Sequence, residues 1–144
     1  MNRPLDIVLG SSESEHLTIR PHRREREVPD PDSGNWVVST VNVRVGGFEG
    51  HVNGTLRAED FVILRDELQQ VHKTLSGEAV LETMEMWLQI RIKGNGKGQL
   101  DVNCEVRDRS DGNRLLFKLD LDQTRLPRII GALDEVIAAF PIVP

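Results

Sequence analysis

Residues 36–57 carry the pattern that most restricts what this chain can fold into. Val37, Val41, Val43 and Val45 recur with Val38, Thr40, Asn42 and Arg44 between them, the period of a strand with one buried face. Gly46-Gly47 follows, a pair that accepts the positive φ angles of a two-residue hairpin turn. Beyond it the apolar parity switches to Phe48, Val52 and Leu56. With the two glycines as the turn, Val45 faces Phe48, Val43 faces Gly50, Val41 faces Val52 and Val37 faces Leu56. These residues then share one face, and a slip by one position would scatter them over both. The opposite face pairs Arg44 with Glu49, Asn42 with His51 and Trp36 with Arg57, an ion pair and a cation–π contact among them.

A hairpin with one apolar face needs a cover, and the next segment supplies it. Phe61, Leu64, Leu68, Val71 and Leu75 recur at helical spacing. Thr55 or Asp60 is the expected cap at its start, and Gly77 stands where helices often end. Upstream, Leu5, Ile7 and Leu9 form a first short strand, and Leu17 and Ile19 begin a second that pairs back so that Asp6 meets Arg20. Residues 20–26 are rich in Arg and His. A phosphate-binding patch is one reading, but Glu25 and Glu27 interrupt it and no aromatic residue is interleaved. A solvated strand edge blunted by charge is the favoured reading. The loop at 28–35 holds Asp30, Asp32 and Asn35 but lacks the later glutamate of a calcium loop, so turn chemistry accounts for it.

Downstream, a short or irregular strand spans residues 79–84 and a strand with Met86, Leu88, Ile90 and Ile92 on one face follows. A glycine-rich turn leads to Leu100, Val102, Cys104 and Val106, and Asp111-Gly112 signals a further hairpin. The expected registers oppose Ile92 to Leu100, Arg91 to Asp101, Trp87 to Glu105, Val106 to Phe117 and Glu105 to Lys118. A last helix, capped by Asp122 or Thr124, carries Leu126, Ile129, Ile130, Leu133, Val136, Ile137 and Phe140 until Pro141. The expectation is one α+β domain over residues 1–144, an antiparallel sheet of about seven strands with two amphipathic helices in the order ββββ-α-βββ-α. Trp36 and Trp87 fall on the polar parity of their strands; either they mark an interface or the second helix covers that side.

Chemistry is hard to place on this pattern. The four histidines sit on different elements without ligand spacing, and one cysteine, Cys104, excludes an internal disulfide or thiolate cluster. The glycine run at 94–98 lacks the Lys-Ser/Thr ending of a phosphate loop. No nucleophile elbow appears, so no catalytic, cofactor or metal residue is assigned. Asp101, Glu105, Asp108, Asp111, Asp120 and Asp122 gather on the last strands, and a solvated acidic face is favoured over acid–base or metal machinery. The formal net charge of −5 argues against nucleic acid as a partner and favours a basic one. The start lacks the apolar core of a signal peptide and no run approaches membrane-spanning length, so a cytoplasmic protein is expected, with no membrane partner.

Several runs resemble one family. They are Trp36 opening the long strand, Phe48-Glu49-Gly50 after the turn, the helix with Phe61, Leu68 and Leu75, and Gly77-Glu78-Ala79-Val80-Leu81. The glycine turn before Leu100 and Asp122-Gln123-Thr124-Arg125-Leu126 complete the set. Together they resemble the WapI-type bacterial immunity proteins, over nearly the whole chain. The resemblance implies a non-enzymatic cytoplasmic protein that binds and blocks a polymorphic toxin domain, and it carries over no catalytic residues. The expected contacts are Asp101, Glu105, Asp108 and Asp111, with Trp87 as aromatic anchor. The alternative is a self-associating interaction or scaffold protein, a homodimer joined through its tryptophan face. Because the apolar pattern suffices for a core without metal, EDTA is expected to leave the melting temperature unchanged in a thermal denaturation.

Overall fold

The structure is a computed structural model that describes residues 5–11, 13–26, 34–109 and 112–144. The loop at 28–35 lies largely outside the described residues, as does Asp111. The chain runs twice through four strands and a helix. Strands β1 (Ile7–Gly10), β2 (His16–Arg24), β3 (Trp36–Val45) and β4 (Phe48–Arg57) lead into α1 (Ala58–Thr74). Then β5 (Ser76–Glu82), β6 (Leu88–Asn95), β7 (Gln99–Arg107) and β8 (Arg114–Asp122) lead through a 3-10 turn, Gln123–Arg125, into α2 (Leu126–Ala139). Each quartet forms its own antiparallel sheet, in the orders β1-β2-β3-β4 and β5-β6-β7-β8. The class is α+β as expected, with eight strands in two sheets where about seven were counted. The added strand is β5: residues expected to be short or irregular pair with β6 along their whole length.

The β3–β4 hairpin holds the register that its parity demands, from Val45 opposite Phe48 to Trp36 opposite Arg57. Arg44 and Glu49 stand opposite each other at 3.8 Å, and His51 Nδ1 lies 2.5 Å from Asn42 Oδ1. Val37, Val41, Val43 and Leu56 are buried, while Phe48 at the hairpin tip stays 65% exposed. Asp6 also meets Arg20, through two hydrogen bonds of 2.7 and 2.8 Å. That hydrogen bonding holds the Asp6 carboxyl below its ordinary value. The core is one cluster in which the inner faces of both sheets meet the buried stripes of the helices, Phe61, Leu64, Leu68 and Val71 from α1 and Leu126, Ile129, Leu133 and Val136 from α2.

Leu75 departs from the expected α1 stripe. It closes the helix in the left-handed region at φ 60, and Gly77 already belongs to β5. The start is secured by Asp60, whose carboxylate accepts the Arg57 N–H at 2.8 Å, while Thr55 lies within β4. Asp122 caps the 3-10 turn by accepting the Thr124 N–H at 2.9 Å.

Both registers in the second sheet sit two residues from the expected ones. Gly94 pairs with Leu100, Ile90 with Cys104, and Cys104 with Phe117. Loop length is the cause. Asn95 Oδ1 accepts the N–H groups of Lys97 and Gln99, so the turn occupies residues 96–98 between Asn95 and Gln99. Likewise Asp108 N–H donates to Asn113 O and the Asp108 carboxylate takes the Asn113 N–H, closing the next hairpin there. A shift of two keeps parity, so the same residues still face the core. Cys104 is buried as expected, and burial pushes its thiol up to about 12. A native thiol-labelling assay is expected to leave Cys104 unmodified until the protein is unfolded.

Candidate binding face

The outer face of the second sheet is read directly from its register. One row across the four strands is Glu78, Lys93, Asp101 and Asp120; the next is Val80, Arg91, Asn103 and Lys118; a third is Glu82, Gln89, Glu105 and Leu116. Arg107 and Arg114 close the face at its far end. The face is therefore of mixed charge, and the expected neutralising pairs of Asp101 with Arg91 and Glu105 with Lys118 are replaced.

The expected contact residues occupy different settings on it. Asp101 is exposed, with Lys93 on one side and Asp120 directly opposite on the other, and neither acid makes an ion pair among the described residues. Two like charges opposed across a ladder destabilise it, so this pair is a local cost borne at the surface. Glu105 is engaged, its carboxylate 3.3 Å from Arg114 and 3.5 Å from Arg107, with its side chain 13% exposed. Asp108 is exposed but holds the hairpin turn, hydrogen-bonded to Asn113 through both oxygens, and the Asn113 amide holds its carboxyl below the ordinary value. Asp111 lies outside the described residues.

Trp87 is not on this face. It precedes β6 and follows Met86, whose φ of 58 breaks the extended run, so strand alternation does not govern it. The indole is 8% exposed and its Nε1–H donates to Thr55 O of β4 at 3.0 Å. It lies over Gly54, where an added Cβ would come within 2.4 Å of the ring. Its parity leaves two readings open, interface or cover by the second helix, and the ring takes neither form in the protomer: it is covered by the edge of the first sheet. Burial leaves this ring nothing to offer a partner as an exposed anchor. Trp36, half-buried at the start of β3, stands in register with Arg57.

Two features escaped the sequence reading. The first is that three of the four histidines share one surface. His16, His22 and His51 all lie on the outer face of the first sheet, hydrogen-bonded to Thr18, Thr40 and Asn42. Their parity within β2 and β4 was the available signal. Among the described residues no group of three or more His, Cys, Asp or Glu is arranged to hold a metal ion. The second is a cleft of about 330 Å³ between the tips of the β3–β4 and β7–β8 hairpins. Val43, Phe48, Val52, Val106 and Leu115 line it, and Glu49, His51, Asp108 and Arg114 rim it. No sequence signal locates it, because it joins residues more than fifty positions apart. No described helix is long and apolar enough to cross a membrane.

This architecture is shared with solved structures of low sequence identity. WHY1 from Arabidopsis thaliana is 10% identical with a TM-score of 0.57, the match covering 99% of this chain and 92% of that one. The plant transcriptional regulator PBF-2 is 11% identical with a TM-score of 0.53, covering 99% of this chain and 84% of that one. At such identity the likeness is one of fold. No curated protein sequence matches. The immunity protein WapI-like family matches residues 8–141, and the chain belongs to that family.

The buried indole yields a direct test. Trp87→Ala removes a side chain packed between the sheets and is expected to cost about 3–5 kcal/mol, read as a fall in the urea midpoint.

Proposed function

We propose that this protein neutralises a toxin domain by direct, non-enzymatic binding through the outer face of its second sheet. Membership of the immunity protein WapI-like family supports an immunity role and a protein partner. The observation that carries the choice of face is the opposed pair Asp101 and Asp120, two exposed carboxylates side by side without an ion-pair partner among the described residues. A cation brought by a partner relieves their repulsion, so the binding partner is basic where it meets them. Glu78 in the same row is held by Arg91 and Asp122 by its cap on Thr124, so the opposed pair is what a partner's cation would meet at that end of the sheet. Glu105 and Asp108 contribute by holding Arg114 and the turn in place, so that the rim of the face is rigid before binding.

Charges placed this way act chiefly on encounter. They raise association rates and reject like-charged partners, while the closely packed residues set the lifetime of the complex. Neutralisation then requires no reaction by this chain: the bound sheet covers the toxin's working surface. The cytoplasm is the compartment in which such a complex protects the cell that makes the toxin.

The test is rescue and kinetics with the toxin domain from the same genetic locus. Co-expression is expected to restore growth of cells making that toxin. Asp101→Asn combined with Asp120→Asn is expected to slow association by about ten-fold and flatten its salt dependence, with folding intact. Unchanged association in that variant overturns the choice of face; failure of the unaltered protein to bind or rescue overturns the immunity reading.

A further inference from the structure

Sheet edges expose unpaired backbone groups, and this fold covers most of its own. The β1 edge lies under α2 and beside β8. The β5 edge is packed by α1, with Val80 N–H donating to Glu67 at 2.8 Å. The stretch of β2 beyond the end of β1 carries Pro21, Arg20, Arg23 and Arg24, residues that discourage strand addition. On the β4 edge, the half that precedes the Trp87 contact is left open.

The direction of its backbone groups follows from two contacts. Thr55 O accepts the Trp87 indole N–H from outside the sheet, whereas Ala58 N–H reaches inward to Asn35 O on the β3 side. Alternation along an antiparallel strand then turns the N–H and C=O of Glu49, His51 and Asn53 outward as well. Among the described residues none of these groups meets a partner. Trp87 closes the row at Thr55, so the open run is bounded.

We propose that this run pairs with the same run of a second copy of the chain, antiparallel about a twofold axis at His51, joining two four-stranded sheets into one of eight. Size complementarity selects the occupant and the register. With His51 opposite His51, the inner face sets Val52 against Gly50 and Phe48 against Gly54, a large residue beside a glycine in every row. Phe48, 65% exposed in the protomer, then lies against the Trp87 ring that covers Gly54. A register centred on Gly50 would leave glycine against glycine, and one centred on Glu49 would oppose like charges. The chosen one sets Glu49 beside Asn53. The strand is complementary to itself, which is the requirement of an isologous interface.

The twofold gives a register-specific test. A residue on the axis meets itself at a Cα separation of about 5.5 Å, within disulfide reach, whereas residue 53 faces residue 49. His51→Cys is therefore expected to cross-link into a dimer under mild oxidation, and Asn53→Cys to remain uncross-linked; the native Cys104 is buried and stays silent. Sedimentation of the unaltered protein is expected to show a dimer, and His51→Pro, which removes an outward N–H on an edge strand, to lose it. His51→Ala, which removes the same contact with Asn42 but keeps the N–H, is expected to retain it. Phe48→Ser, at a site exposed in the protomer, is expected to weaken it with the circular dichroism spectrum of the folded chain kept. Equal cross-linking at 51 and 53, or a dimer indifferent to both His51→Pro and Phe48→Ser, overturns the proposal. So does a monomeric protein whose toxin binding is lost in His51→Pro, which would assign the edge to the toxin; the acid-face variant above tests the immunity reading separately.

Discussion

Alternation of side chains across a strand is the constraint from which the rest of this structure follows. In the β3–β4 hairpin it places Val37, Val41, Val43 and Leu56 on one side, and that side has to be buried. The second quartet presents Leu88, Ile90, Ile92, Leu100, Val102 and Cys104 in the same manner. Neither sheet can bury its apolar face alone. They do so together, with α1 and α2 closing the sides of a single core. The outer faces are left to polar side chains: histidine, threonine, asparagine and the Arg44–Glu49 ion pair on the first sheet, paired and unpaired charge on the second.

Trp87 ties the two sheets from just ahead of β6, its ring set against β4 of the first sheet. Its ring takes the room that Gly54 leaves, and its N–H satisfies the Thr55 carbonyl. One residue thus contributes apolar burial, pays no unsatisfied polar group for it, and closes part of an edge. The open half of that edge begins where the indole stops. Stability at this junction and availability of β4 for pairing therefore have one structural origin.

The acids of the second sheet show why composition alone does not define a binding face. A run of carboxylates on neighbouring strands reads as one acidic surface, yet Glu105 is spent on two arginines and Asp108 on a turn. Asp101 and Asp120 differ because the register sets them against each other. In the proposed function, a face of mixed charge with one like-charged pair would offer a partner a specific point of attachment, whereas a uniformly acidic surface would attract any basic protein.

The sequence by itself determined whatever depends on parity and on short-range chemistry. It carried the β3–β4 register, the pairing of Asp6 with Arg20, the inward thiol of Cys104, both helices and the α+β class. Those follow from a period of two or of 3.6 and from glycine at a tight turn, all local properties. Tertiary structure alone decided the division into two sheets, the two-residue shifts in the second one, the burial of Trp87 and the cleft between hairpin tips. A shift of two leaves the inward pattern unchanged, so hydrophobic periodicity cannot detect it; side chains of Asn95 and Asp108 grasping their own loops set it. Likewise parity says which side of a strand a residue takes, but not what another sheet, folded from a distant segment, will bring against it.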